Sequence, residues 1–395
     1  MSFDGDVLVL GLGAVGAAVL YQLARRGVRA GGIDRFRPPH ALGSSHGESR
    51  ITRLATGEGE AYLPLVRRSH RIWRELEAAS GRALYEACGL LVLAPSQAGP
   101  GGRADFHRRT LALARAHGIR HERLDAAAVR RRFPALQPPD GDEAYFEPEG
   151  GFVRPEAAIE VQLQQARAHG AALYLDETLL DLQPAGSRLR LTTEVNGHRR
   201  EHRADRVLLA LGPWLPAFLA AQLPRPAPLR VYRQVMYWFD LAPDRAAQHR
   251  PQALPAFIWI FGDGEADSFY GFPALDPARP RLKLAAAQYR ETTTPDAVDR
   301  RVGRDELEAF VAGRLRGRIA LAADDCSDAR ACLYTVAPEH RFIVDTLPGL
   351  DGATWVSACS GHGFKHSAGL GEALAEQLLG EGGGASDLAA FRWTG

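Results

Sequence analysis

Hydrophobic positions near the start of the chain form a short continuous run, Val7-Leu8-Val9-Leu10, which predicts a strand. Three spaced glycines follow, and an apolar helix then continues through Leu20, Leu23 and Ala24 before a second strand ends at Ile33-Asp34. From Glu60 to Ala79 the period changes. Tyr62, Leu65, Val66, Trp73 and Leu76 recur at helical spacing among arginines and glutamates, which predicts an amphipathic surface helix. Further helices are expected from Ala104 to His117 and from Pro155 to about His169, on either side of breaks at Pro134, Pro138 and Pro139. Between Ala172 and Leu209, short apolar runs are divided by turns at Pro184-Ala185-Gly186 and Asn196-Gly197. They predict a β-meander that ends in a buried strand, Val207–Ala210, broken by Leu211-Gly212-Pro213-Trp214. Residues 226–322 alternate aromatic strands with proline-rich loops, and no internal repeat is visible.

The first unit places Gly11-Leu12-Gly13-Ala14-Val15-Gly16 between a strand and a helix, the context that a dinucleotide-binding turn requires. Gly11, Gly13 and Gly16 let the backbone turn and approach a pyrophosphate, whose charge suits a helix N-terminus. Asp34 is placed to accept hydrogen bonds from an adenosine ribose. The motif by itself does not separate NAD from FAD.

Composition narrows the field. Over 395 residues, 48 basic against 47 acidic side chains leave a net charge of +1, too little to favour nucleic acid or an anionic membrane. Four cysteines (Cys88, Cys326, Cys332 and Cys359) make no disulfide scaffold and no metal-binding pair, so a reducing cytoplasm and no metal are expected. The apolar run Val7 to Leu20 is too short to span a bilayer, and Asp4 and Asp6 stand where a signal peptide carries positive charge.

Beyond Asp34 come Arg37-Pro38-Pro39-His40, then Gly43-Ser44-Ser45-His46-Gly47-Glu48-Ser49-Arg50-Ile51-Thr52-Arg53 and Gly57-Glu58-Gly59. Further along are Phe269-Tyr270-Gly271-Phe272-Pro273, Leu282-Lys283-Leu284, Ala331-Cys332-Leu333-Tyr334-Thr335 and Ser360-Gly361-His362-Gly363-Phe364-Lys365. In that order, over almost the whole chain, these segments resemble the monomeric sarcosine oxidase family. That family includes N-methyltryptophan oxidase and is more distantly related to D-amino-acid and glycine oxidases. The resemblance implies an α/β fold (α+β overall): a Rossmann-type FAD-binding domain of residues 1–88, 150–225 and 323–395, with an inserted antiparallel-sheet substrate domain of residues 89–149 and 226–322. It implies a monomer that oxidises a secondary amine or N-alkyl amino acid and passes the electrons to O2.

The resemblance also carries roles. Gly43, Ser44, His46, Arg50, Gly212, Gly361, His362, Gly363 and Lys365 would contact the flavin, and Cys332 would attach it as a thioether. Arg53 and Lys365 would bind the substrate carboxylate; the alternative for Arg53 is a surface ion pair with Glu48 or Glu58. Arg50 would lie against the flavin ring, His362 would shape its loop, and Tyr270 and Tyr334 would line the substrate pocket. Lys283 would promote oxygen reduction, where an ammonium about 4 Å from developing superoxide offers about 4 kcal/mol at an effective dielectric of 20. Composition supports the two lysine assignments independently. Lys283 and Lys365 are the only lysines among the 48 basic residues, so they are expected where a compact ammonium is needed and a guanidinium fails.

Two departures stand out. Ala287 replaces a histidine four positions after the lysine, and Ser45 replaces the first of two adjacent histidines. The first implies a roomier pocket, for a bulkier or cyclic secondary amine, which Trp238, Trp259 and Phe261 are expected to line. A same-fold dehydrogenase with another electron acceptor, and a flavin-bound interaction protein without turnover, are the rival readings.

Overall fold

The computed structural model describes residues 2–97 and 105–393. Strand Asp4–Leu10, helix Ala14–Ala24 and strand Ala30–Asp34 form the expected βαβ unit, the two strands parallel with Val7 opposite Ala30. Val7 to Leu10 are at most 1% exposed, because helices and chain cover both faces of the sheet. Strand His198–Leu209 lies parallel to the first strand on its other edge and pairs in parallel with Ala353–Ser357. The expected meander is present as Thr178–Ala185, Arg188–Val195 and His198–Leu209, all antiparallel. Asn196 and Gly197 turn between the last two with φ of 52° and 76°, as a two-residue hairpin turn demands. Ala172–Leu175 does not join it. That strand instead extends the parallel sheet beside Ala30–Asp34.

The helical expectations shift slightly. The surface helix runs Leu63–Ser80 after a short turn Glu60–Tyr62, and another runs Pro155–Ala168. The third spans Asp105–Ala116, while its expected first residue, Ala104, lies outside the described residues. Among the described residues no helix is long and apolar enough to cross a membrane.

A second sheet of eight strands runs in the order Cys326–Val336, Arg230–Asp240, Arg281–Ala286, Ser268–Phe272, Ala256–Ile260, Leu90–Pro95, Asp142–Glu147 and Glu122–Asp125. Only the pairing of Ala256–Ile260 with Leu90–Pro95 is parallel. Cys326–Val336 falls after residue 322, yet it is hydrogen-bonded along Arg230–Asp240, so the second sheet's chain runs past the expected boundary.

Strand alternation decides what this sheet presents. Leu282, Leu284, Tyr237, Phe239, Phe257 and Trp259 point to an outer core, under Leu307 and Phe310. Met236, Trp238, Ala285 and Cys332 pack on the opposite face, and Lys283, Ile258, Ile260, Tyr270 and Tyr334 share its period. That face meets the segment Ser44–Arg50, through Lys283, Met236, Trp238 and Cys332. A three-stranded sheet of Arg50–Thr52, Gly151–Val153 and Tyr85–Glu86 carries Arg50.

Candidate active site

A cavity of about 970 Å³ runs from the glycine-rich turn to the second sheet. Gly11, Gly13, Asp34, Gly43, Ser44, Arg50, Arg53, Gly212, Tyr270, Tyr334, Gly361, His362, Gly363 and Lys365 all line it. Segments up to about 350 residues apart in sequence thus converge on one space. Gly16, His46, Lys283 and Cys332 are not on its wall, and each has a physical reason.

Gly16 acts through contact. A Cβ there would stand 1.8 Å from the carbonyl oxygen of Gly11, so only glycine lets the helix close on the turn. Gly11 has φ of 83°, and a Cβ on it would meet the Ala210 carbonyl oxygen at 2.4 Å. Asp34 holds this turn from the second strand: its Oδ2 accepts from Leu12 N–H at 2.7 Å and its Oδ1 from Phe36 N–H at 2.8 Å. Burial raises its pKa, and those two N–H groups oppose the rise. A carboxylate has about four acceptor sites, so a ribose hydroxyl can still be received.

His46 is buried with neither ring nitrogen hydrogen-bonded, and burial followed by the charge of Arg50 lowers its pKa to about 3. Arg50 reaches from its strand to the Ser44 carbonyl (3.0 Å), the Ser49 carbonyl (3.1 Å) and Cys332 Sγ (3.6 Å). Cys332, 1% exposed, therefore sits directly behind the arginine and the Ser44 wall. Lys283 is 3% exposed and donates to the carbonyls of Gly47 (2.5 Å) and Ser49 (2.7 Å) and to Ser49 Oγ (3.3 Å). Its ammonium rests over Phe272, 4.5 Å from the ring centroid.

At the far end of the cavity, Arg53 and Lys365 converge. Neither is free: Arg53 Nη2 donates to both Glu58 oxygens at 3.0 and 2.9 Å, and Lys365 Nζ to Glu58 Oε1 at 2.9 Å. The ion pair weighed as an alternative for Arg53 is thus present with Glu58, although it is buried in the cavity wall and not on the surface. Burial opposes ionisation of Glu58, but the two cations outweigh it and hold the carboxyl well below its usual range. Burial lowers the Lys365 ammonium to about 8 against the opposing pull of Glu58. His362 Nε2 contacts the His340 carbonyl oxygen at 2.8 Å, and burial keeps the ring neutral, with a pKa of about 4. Tyr270 and Tyr334 meet hydroxyl to hydroxyl at 3.1 Å, and burial raises the pKa of both.

Trp238, Trp259 and Phe261 do not line the cavity. Trp259 alternates to the outer core and stacks on Phe269, Phe261 packs against the same core, and Trp238 lies beneath Lys283. The wall there is Ile258, Ile260, Phe272 and Tyr289, with Ala287 beside them. Sequence reasoning missed Tyr289, Ile258, Ile260 and Ser357; the period-two pattern of strand Ala256–Ile260 held the signal for the isoleucines.

The cavity fits a flavin dinucleotide. Ser44 Oγ, Thr335 Oγ1, Ser357 Oγ and His362 Nδ1 are buried polar atoms without a hydrogen-bond partner, His362 Nδ1 standing 4.0 Å from Glu58 Oε1, and all four residues line it. Such atoms are costly unless something accepts or donates to them. The glycine-rich turn, where a Cβ on Gly13 would meet nothing nearer than Ser45 Oγ at 3.7 Å, suits the pyrophosphate.

Comparisons with known proteins agree. The chain is 34% identical to a monomeric sarcosine oxidase of Streptomyces avermitilis over 96% of this chain and 94% of that protein. It is also 34% identical to an N-methyl-L-tryptophan oxidase of Salmonella arizonae, with 98% of each chain covered. Among solved structures it resembles NikD, an unusual amino acid oxidase essential for nikkomycin biosynthesis, with a TM-score of 0.78, 24% identity, and 95% of this chain and 94% of that one covered. It also resembles an L-proline dehydrogenase from P. horikoshii, with a TM-score of 0.76, 17% identity, and 97% and 95% covered. The DAO family model, FAD dependent oxidoreductase, matches residues 6–377, and on the fold, the dinucleotide turn and these relatives together the chain belongs to that family.

Proposed function

We propose that this protein oxidises an N-alkyl or cyclic amino acid to the imine, with FAD as cofactor and O2 as the acceptor that becomes H2O2. The observation that carries this reading is the convergence of Arg53 and Lys365 on one carboxylate, that of Glu58, at the end of a cavity walled by the flavin-loop residues Gly361–Gly363. A substrate carboxylate replaces Glu58 on these two cations. The arginine fork takes two oxygens and the ammonium adds a point charge.

When bound, FAD supplies the two-electron acceptor for the carbon next to the amine nitrogen. The chain supplies placement. Anchored by its carboxylate, the substrate lays its amine between Tyr270 and Tyr334, whose raised pKa values keep them as neutral hydrogen-bonding groups and not bases. Ile258, Ile260 and Phe272 exclude water from the reacting carbon. Ala287 leaves room beside Tyr289 for a substituent larger than methyl. Gly11, Gly13 and Asp34 would hold the dinucleotide, Arg50 would offer its positive charge to it, and Cys332 would be the attachment point, its S–H and a flavin C–H giving up two electrons and two protons, which O2 takes, as the C–S bond forms. The protein acts as a monomer in the cytoplasm, and Lys283 promotes the reduction of O2.

Peroxide release on a panel of N-methyl and cyclic amino acids tests this. Turnover with one or more members and stoichiometric H2O2 is expected; amine consumption that needs an added dye, without peroxide, would establish the second reading, a dehydrogenase. The burial of Lys283 away from the cavity wall is the observation that favours that alternative.

A further inference from the structure

The loop Gly47–Ser49 is gripped from two sides. Glu156, in the first turn of helix Pro155–Ala168, accepts from the N–H of Gly47 at 2.5 Å and from the N–H of Glu48 at 3.2 Å to each carboxylate oxygen. Opposite, Lys283 Nζ donates to the carbonyls of Gly47 and Ser49 and to Ser49 Oγ. The N–H of Glu48 and the carbonyl of Gly47 belong to the same trans peptide, where they point in opposite directions. That single peptide therefore lies between the carboxylate and the ammonium. Glu48 is left-handed, with φ of 70°, a conformation that a non-glycine residue holds only when its surroundings impose it. Among the described residues no cation is paired directly with Glu156. Three acceptors match the three ammonium protons, so Lys283 has no N–H left unpaired.

We propose that Glu156 is a positioning residue for Lys283: through the Gly47–Glu48 peptide it fixes the acceptors that seat the ammonium, and it supplies the counter-charge that keeps it protonated. This rests on the reading of Lys283 as the residue that promotes oxygen reduction. The groups around the ammonium make the counter-charge necessary. Burial and then Arg50 push the lysine well below its usual pKa, while Glu156, Glu48 and Cys332 oppose them. His46, from the same loop, is neutral. Glu48 is shared with Arg281, Arg330 and the Trp238 indole, and Tyr270 is protonated, which leaves Glu156 as the carboxylate with no direct ion pair to an arginine, although its charge also acts on Arg50.

The test exploits a property of this sequence: it contains two lysines, so the holoenzyme labelled with 13Cε-lysine gives two resonances, assigned with Lys365→Met. In Glu156→Gln the Lys283 resonance should titrate about one pH unit lower, at the low end of what a neighbouring charge contributes, while Lys365 stays in place. In stopped flow, reoxidation by O2 should lose its rate at correspondingly lower pH, and anaerobic reduction by substrate should change little. Lys283 titrating at its original pH in Glu156→Gln would overturn the proposal. So would a double variant, Glu156→Gln with Lys283→Met, that reoxidises more slowly than Lys283→Met alone, since Glu156 would then act by another route. Lys283→Met itself should reoxidise far more slowly than the original enzyme. An unchanged rate there would overturn the oxygen role of the lysine, whereas the lysine titration judges Glu156 separately.

Discussion

Replacing Glu58 by glutamine should tighten the binding of carboxylate ligands. Glu58 occupies Arg53 and Lys365 through three charge-assisted contacts of 2.9 to 3.0 Å, so an incoming carboxylate gains those contacts only by releasing them from Glu58. Hydrogen bonds to charged groups contribute about 1.5–3 kcal/mol and neutral ones about 1 kcal/mol, so an amide competes less well by about 1–2 kcal/mol, or about 5- to 30-fold in affinity. The sign depends on pH. Lys365 loses its proton at about 8, and Glu58 raises that value, so Glu58→Gln moves it lower. The gain should therefore be largest well below that pKa and shrink or reverse above it. Anaerobic titration of the holoenzyme with a carboxylate that carries no oxidisable amine, followed by flavin absorbance on both sides of that pKa, reads the effect. Lys365→Met in the same assay should weaken binding by about 1.5–3 kcal/mol. Unchanged or weaker binding by Glu58→Gln below the pKa would refute the competition argument and leave Arg53, Glu58 and Lys365 as a structural knot.

Three further outcomes are expected. Acid precipitation should leave yellow colour in the protein pellet, and Cys332→Ser should move it to the supernatant; colour released from the unaltered protein would exclude the thioether. Gly16→Ala should cost about 1–3 kcal/mol in urea unfolding and lower the flavin content, because the new Cβ would stand 1.8 Å from a backbone oxygen that cannot rotate away. Ala287→Phe should fill the space beside Tyr289 and favour small N-methyl substrates over bulky ones by about tenfold or more in kcat/KM, and an unchanged ratio would show that this wall does not meet the substrate.

Much of the nucleotide-binding half is legible in the amino-acid sequence, because its signals are local. Gly11, Gly13 and Gly16 reflect the conformation of their own turn and its contact with the helix that follows immediately, and Asn196-Gly197 names its hairpin by backbone handedness alone. The two lysines are legible for a different reason. With arginine at every other basic position, composition alone singles out Lys283 and Lys365, and the fold buries both, at 3% and 2% exposed.

Partnership is not local. Nothing in the run Ala172–Leu175 distinguishes a meander strand from a parallel edge strand, since both require only apolar β-formers, and the choice falls to the open edge beside Ala30–Asp34. The tryptophans illustrate the same limit: Trp259 reads as a pocket aromatic until the sheet's other layer fixes which face of its strand is outer core. Glu58 can be named from its position as a partner for Arg53, but its hold on Lys365 spans 307 positions and exists only because two loops meet at the cavity wall. Glu156 lies 127 residues before Lys283 and acts on it through a peptide belonging to neither. The order of residues alone dictates the turn, the chemistry-bearing side chains and the succession of family motifs. Which carboxylate faces which cation follows from the packing of the two sheets, because charge pairing depends on distance in space and the chain encodes that distance only once it has folded.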